Sequence, residues 1–172
     1  MKKIFSKLFV LMLAAAFCLS AFACAGSGDK DSNASAANTP DPDADIDAVY
    51  EELLATGNFP ELSKVPAGQL MDNYGIDPDK LEDYVMAMPL NFYEDICEIA
   101  IFKVKDEAYA KDVEKIMSSI LKQNKNTSKG YSDPEQAQII EPAEVDVSGN
   151  SCYLVVGKNY EDLMKIMHKY FG

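Results

Sequence analysis

Three carboxylates that precede the most apolar stretch of the chain have the residue types needed for acid–base chemistry. Glu94, Asp95 and Glu98 lie close together in sequence, and glycosidases use two such groups as acid and base. Carboxylates at the start of a strand are more often simply solvated, and the sequence fixes no second partner for any of the three. A hydrolase that uses a carboxylate pair is therefore the alternative interpretation, and solvated side chains are the first.

His168 is the only histidine of the chain. A serine or cysteine triad would have to use it, but no GxSxG motif accompanies it. It lies beside the apolar face of the last predicted helix, near the C-terminal end, where a cation is favoured. The sequence therefore predicts no catalytic residue.

No residue pattern of the sequence predicts a metal site or a cofactor. There is no CxxC pair and no zinc-type spacing. The acidic run from Asp41 to Glu52 has the carboxylate rhythm of an EF-hand loop, but Ile46 stands where that loop needs glycine. An acidic linker that also caps a helix explains this run better.

One polar corner follows the longest predicted helix. Tyr131, Ser132 and Asp133 bring together a phenol, a hydroxyl and a carboxylate, which makes them a candidate polar surface site. A turn in which the aspartate caps its own backbone is the simpler interpretation.

Two cysteines fall in the predicted folded region. Cys97 and Cys152 each lie inside a predicted strand. Outside the cell they could form a disulfide, and the alternative is a pair of small buried thiols in the core. The two positions alone leave both open, with a slight preference for thiols.

The first residues have the pattern of a secretory signal. Lys2, Lys3 and Lys7 precede an apolar stretch over residues 8–23, which is short for a membrane span and is followed by polar sequence. We therefore predict that residues 1–23 are a cleaved signal peptide.

The cysteine that follows the signal predicts a lipid anchor. Ala21-Phe22-Ala23-Cys24 resembles the lipobox of bacterial lipoproteins, although alanine replaces the usual leucine and Phe22 replaces a small residue. The alternative is ordinary cleavage after Ala-x-Ala. We predict lipidation at Cys24, because a diacylated cysteine supplies the two chains that stable anchoring needs.

Composition divides the remaining chain into a tether and one domain. Residues 25–45 contain no aromatic and no branched aliphatic residue, so we expect residues 24–45 to be the lipidated cysteine and a disordered linker. Residues 46–172 are predicted to form a single domain. The chain has a net charge of −12 and no arginine, which argues against nucleic acid or bare anionic lipid as a partner.

The domain is predicted to be α+β, around a strand that runs straight into an amphipathic helix. After an N-terminal helix come strands near residues 84–91, 96–104, 139–147 and 152–156. Pro89 and Pro142 place the first and third strands at edges. The expected sheet is four-stranded and antiparallel, in the order 1-2-4-3, with helices on one face.

Several segments together resemble the bacterial lipoproteins of domain of unknown function 4358. They are Asn73-Tyr74-Gly75-Ile76-Asp77, Ile99–Val104 with its lysine-rich helix, Tyr131-x-x-Pro134-Glu135 and Tyr153–Val156. The resemblance implies a small lipoprotein of Gram-positive bacteria, on the outer face of the cell membrane, and it implies no activity. We therefore expect a non-catalytic module that is anchored by lipid and binds an envelope protein or a small ligand. A small cell-envelope hydrolase is the alternative.

Overall fold

The structure, a computed structural model, describes residues 43–91, 94–130 and 134–172. The predicted signal peptide, Cys24 and nearly all of the predicted linker lie outside the described residues. Within the described part of the chain, no helix is both long enough and apolar enough to cross a membrane.

The described residues form one antiparallel sheet. Its five strands are β1 (Leu62–Lys64), β2 (Leu81–Pro89), β3 (Glu98–Val104), β4 (Val145–Ser148) and β5 (Ser151–Val156). Their order across the sheet is β1-β2-β3-β5-β4, and every neighbouring pair is antiparallel.

Helices precede, connect and follow these strands. They are α1 (Ile46–Ala55), the short α2 (Ala67–Gln69), α3 (Glu107–Ser128), α4 (Pro134–Ile140) and α5 (Tyr160–Phe171). A π-type turn (Leu70–Tyr74) continues α2, and a 3₁₀ turn (Pro78–Lys80) leads into β2.

The central strand β3 forms because its apolar residues can be buried on both sides of the sheet. Ile99, Ile101 and Phe102 are completely inaccessible to solvent, which confirms the predicted core strand. Alternate residues of a strand point to opposite faces. Ile99 and Ile101 accordingly join one apolar cluster, and Phe102 joins the other.

Helices cover both faces of the sheet, so the prediction of helices on one face is wrong. The face that carries Ala100 and Phe102 packs against α3 and α4, and we call it the α3 face. The face that carries Ile99 and Ile101 packs against α1 and α5. A nearly continuous apolar run is what burial on both faces requires.

The sheet has five strands, so the prediction of four strands is wrong. The strand that the prediction omitted is the edge strand β1. Leu62 pairs with Pro89, and Lys64 pairs with Ala87, so β2 is not an edge strand. Pro89 is tolerated because it is the last residue of β2. A three-residue strand is too short to show the period of two from which strands are predicted. The other four strands have the predicted order.

The predicted third strand begins too early. Ile139 and Ile140 form the last turn of α4, and Pro142 lies in the loop before β4. Both isoleucines are buried in the α3-face core. Two adjacent apolar residues fit either a helix end or a strand start, so periodicity alone could not separate the two structures.

The long helix α3 follows its prediction closely. Asp106 caps its start by accepting a hydrogen bond from the Ala108 backbone N–H at 2.9 Å. Tyr109, Val113 and Met117 are buried on the predicted face. This helix supplies most of the cover above the α3 face of β3.

Candidate functional site

The structure separates the three carboxylates that the sequence presents together. Glu94 is exposed and Asp95 is half-buried, whereas Glu98 is only 4% exposed. The expectation of a solvated side chain therefore holds for Glu94 and is wrong for Glu98.

Glu98 is buried because of its position in β3. It is the first residue of that strand, and strand alternation places its side chain on the same face as Ala100 and Phe102. Its backbone pairs with Val156 of β5. The carboxyl group therefore continues the apolar row beneath α3.

A small pocket lies beside Glu98, which lines it, and we call it the Glu98 pocket. Its volume is about 90 Å³. The walls come from the end of β2, from the segment before β3 and from α3. The lining residues are Met88, Pro89, Asp95, Ile96, Cys97, Glu98 and Asn124.

One oxygen of the buried Glu98 carboxyl group lacks a hydrogen-bond partner. Among the described residues, its Oε1 atom has no hydrogen-bond partner. Loss of hydration disfavours the charged form and raises the pKa of Glu98 to about 7. Because perturbed groups in clefts often mark functional sites, this carboxyl group is the strongest candidate that the described residues present.

Tyr74 reaches the same region from the π-type turn. Burial raises the pKa of its phenol, and the negative charge of Glu98 raises that pKa further. The Tyr74 hydroxyl donates to Met88 Sδ at 3.0 Å. Gly75 ends the turn in the left-handed region, with φ of 72°, a conformation that glycine adopts without steric cost. Tyr74 therefore contacts Met88, a lining residue of the Glu98 pocket, without lining the pocket itself.

The segment that carries Asp95 and Cys97 is held in place by α4. The side chain of Gln136 is buried, and its Oε1 atom accepts a hydrogen bond from the Ile96 backbone N–H at 2.9 Å. At the other end of the segment, the Asp95 N–H donates to the Asn91 carbonyl at 3.1 Å. These bonds fix the lining of the Glu98 pocket.

A larger groove adjoins the Glu98 pocket, and we call it the edge groove. Its volume is about 530 Å³, and its lining residues are Ser63, Lys64, Val65, Pro66, Gln69, Asn73, Tyr74, Met88 and Pro89. Met88 and Pro89 line both cavities. Leu90, the residue after Pro89, is 67% exposed. A ligand too large for the pocket therefore has an adjacent surface to lie on.

The two cysteines are free, buried thiols. Cys152 pairs with Phe102, which lies four residues beyond Glu98, so the backbones of the two cysteines are separated by at least about 13 Å along β3. A disulfide brings Cα atoms within about 7 Å. Burial raises the pKa of Cys97 to about 11 and that of Cys152 to about 12. Neither is therefore an activated nucleophile.

Of the remaining predicted site residues, His168 lies in the described part of the chain. His168 is exposed on α5, which covers the opposite face of the sheet from Glu98. Tyr131, Ser132 and Asp133 lie outside the described residues.

Another cavity lies between the C-terminal half of α3 and the loop before β4. It has a volume of about 420 Å³ and is lined by charges of both signs, including Lys122, Lys129 and Glu144. Lys125 also lines it, and its ammonium group donates to the Glu141 carbonyl at 2.7 Å. Its lysines stand near the C-terminal end of α3, where cations stabilise any helix.

Sequence reasoning included Glu98 among its candidates but did not predict its burial. The signal was the period of two in β3, because Glu98 shares its parity with Ala100 and Phe102. Tyr74 and Gln136 had no comparable signal of their own, since they reach the site through tertiary packing.

Comparison with known proteins identifies a family. The model described as Domain of unknown function (DUF4358) matches residues 55–157, a range that includes all five strands and every residue of the Glu98 pocket. No curated protein and no solved structure matches the chain.

Replacement of Glu98 by glutamine tests its burial. Because the pKa of Glu98 is raised in the folded state, its stabilising contribution is complete below its usual pKa near 4.5 and is lost as the pH rises through about 7. The free energy of unfolding of Glu98→Gln should therefore increase relative to wild type by about 2 to 3 kcal/mol between pH 5 and pH 8. Urea unfolding at each pH measures this difference.

The exposed neighbour Glu94 provides the matched control. Glu94→Gln should differ from wild type by an amount that does not change over the same pH range. The cost of burying an amide at position 98 is independent of pH, so it cancels when only the pH-dependent part of the difference is compared. If Glu98→Gln and Glu94→Gln give the same pH profile, Glu98 is not buried as described.

Proposed function

The chain belongs to the DUF4358 family, and we propose that it is a membrane-anchored lipoprotein of the cell envelope that binds a ligand at the Glu98 pocket. In this proposal Cys24 carries the lipid, the domain stands on the outer face of the cell membrane, and its role is binding without catalysis. The observation that carries the binding role is the buried Oε1 atom of Glu98, which has no hydrogen-bond partner among the described residues.

A buried carboxyl oxygen without a hydrogen-bond partner is costly unless a ligand compensates it. Replacing Glu98 with a well-packed apolar residue would avoid that cost. Proteins keep such groups where binding or chemistry uses them, and they accept lower stability in return. The Glu98 pocket with its adjacent edge groove has the form expected of a site that receives the end of a larger ligand.

The hydrolase alternative has one specific observation in its favour. Burial raises the pKa of Glu98 to about 7, a value suited to a general acid, and Asp95 lines the same pocket. Against it stands the volume of about 90 Å³, since a glycosidase must place a sugar between its two carboxylates. The binding role therefore fits the geometry better.

The anchor is supported by the sequence around Cys24 and is tested by fractionating cells. In a Gram-positive host, the wild-type chain should partition with membranes, and Cys24→Ala should be released or remain unprocessed, because it has lost the site of acylation. Cys18→Ala is the matched control, since Cys18 lies within the predicted signal. Membrane association and processing of Cys24→Ala equal to wild type would contradict lipidation.

The binding role is tested with envelope material from the same host. Purified full-length protein in detergent is immobilised and incubated with a radiolabelled soluble digest of cell wall. Wild type and Glu94→Gln should retain labelled material equally. Glu98→Gln should retain at least about tenfold less, the effect of losing roughly 1.4 kcal/mol of binding free energy. Equal retention by Glu98→Gln and wild type would contradict a binding site at the Glu98 pocket.

A further inference from the structure

We propose that the Glu98 pocket binds the protonated primary amine at the end of a ligand, and this inference rests on the binding role proposed above. The ammonium group would donate to the Glu98 carboxylate, and the remainder of the ligand would lie along the edge groove.

The first argument is the hydrogen-bonding demand of Glu98. The residue is only 4% exposed, and its Oε1 atom has no partner among the described residues. An ionised carboxylate accepts hydrogen bonds only, so it requires a donor. An ammonium group brings three donors and an opposite charge, and a charge-assisted bond is stronger than a neutral one. A bound amine would therefore supply the compensation that the fold omits.

The volume of the Glu98 pocket limits the chemical group that it can hold. A volume of about 90 Å³ corresponds to about three water molecules at roughly 30 Å³ each. That space accepts an ammonium group and one or two methylene groups, and it excludes a sugar or an aromatic ring. The apolar side chains of Met88, Pro89 and Ile96 suit an aliphatic stem.

The charged groups around the Glu98 pocket determine which sign of ligand it favours. Asp95 and Cys97 of its own segment line the pocket together with Glu98, the charge of Glu98 acts on the Tyr74 phenol of the π-type turn, and α3 presents the neutral amide of Asn124. No lysine or histidine lines the pocket as the structure describes it. Lys158 acts on Cys97 electrostatically from nearby, but its ammonium group is paired with Glu135 at 2.8 Å. The site therefore favours a cation over an anion.

The pocket suits an ammonium group better than a divalent metal ion. Calcium takes six to eight oxygen ligands, whereas Asp95 and Glu98 are the only carboxylates that line the described pocket. Within the described residues, no group of three His, Cys, Asp or Glu side chains is placed to hold a metal. Two carboxylates and one amide can satisfy the three donors of an ammonium group.

The raised pKa of Glu98 gives the interaction a distinctive pH dependence. A bound cation favours the ionised carboxylate, and Glu98 is mostly protonated below its pKa of about 7. Amine affinity should therefore rise as the pH increases from 5 to 8, over a range in which an alkylamine stays protonated. A carboxylic acid ligand would show the opposite trend, because it would pair with protonated Glu98.

Calorimetry of the purified full-length protein in detergent tests the inference, with n-butylamine as the probe. We expect saturable binding at pH 8 and at least about tenfold weaker binding at pH 5, since affinity scales with the ionised fraction of Glu98. Glu98→Gln should abolish binding, and Asp95→Asn should weaken it less. Glu94→Gln should bind as wild type does. The wild-type pH dependence needs no variant, so it remains informative if Glu98→Gln folds poorly.

Matched ligands identify the class. n-Butanol has the same stem without the charge, butyrate has the opposite charge, and potassium chloride supplies a cation without donors. Binding of any of these as tightly as n-butylamine would overturn the inference, and so would amine binding that Glu98→Gln leaves unchanged. If n-butylamine fails to bind while cell-wall retention still depends on Glu98, the amine class is wrong and the binding role stands. If Glu98→Gln changes neither n-butylamine binding nor cell-wall retention, both proposals fail.

Discussion

Strand alternation in β3 places a carboxyl group inside an apolar core, and the candidate site depends on that constraint. The register that buries Ile99 and Ile101 against α1 and α5 necessarily directs Ala100 and Phe102 towards α3. Glu98 lies two residues before Ala100, so its side chain is buried on the same face as Ala100 and Phe102. A slip of one residue would move Glu98 to the opposite face of the sheet and would exchange the two faces of the central strand.

The surrounding elements that the structure describes keep the Glu98 side chain buried but do not donate a hydrogen bond to its Oε1 atom. Gln136 uses its side-chain oxygen to hold the Ile96 backbone, and the Tyr74 hydroxyl donates to Met88 sulphur rather than to Glu98. Asp95 adds a second carboxylate to the same pocket. The hydrogen bonds of Gln136 and Tyr74 therefore go elsewhere, and an ionised carboxylate has no donor to offer Oε1 of Glu98. A protein that keeps such a site ready for a donor ligand has a lower free energy of unfolding when the ligand is absent. The pH dependence of that free energy measures the cost of burying Glu98.

The parts of the fold that could be predicted were those in which a long segment repeats one period. β3 and α3 show clear periodicity over seven and 22 residues, and the relative order of the four predicted strands was right. β1 was missed because Leu62–Lys64 is too short to show alternation. Ile139 and Ile140 were assigned to a strand because an adjacent apolar pair does not distinguish a helix end from a strand start. The burial of Glu98 is consistent with the alternation of β3, but solvated carboxylates are so common at strand starts that alternation alone does not predict it. Tyr74, Gln136 and Asn124 reach the surroundings of Glu98 through tertiary packing, which a single sequence does not reveal.

The most direct test of the account is the titration of Glu98 itself. Carbon-13 NMR of glutamate-labelled full-length protein follows the side-chain carboxyl signals with pH, and the signal missing from Glu98→Gln identifies Glu98. We expect a midpoint near pH 7, because burial disfavours the charged carboxylate. A midpoint near 4.5, the usual value for a solvated glutamate, would show that the carboxyl group is hydrated or already paired and would contradict the central claim.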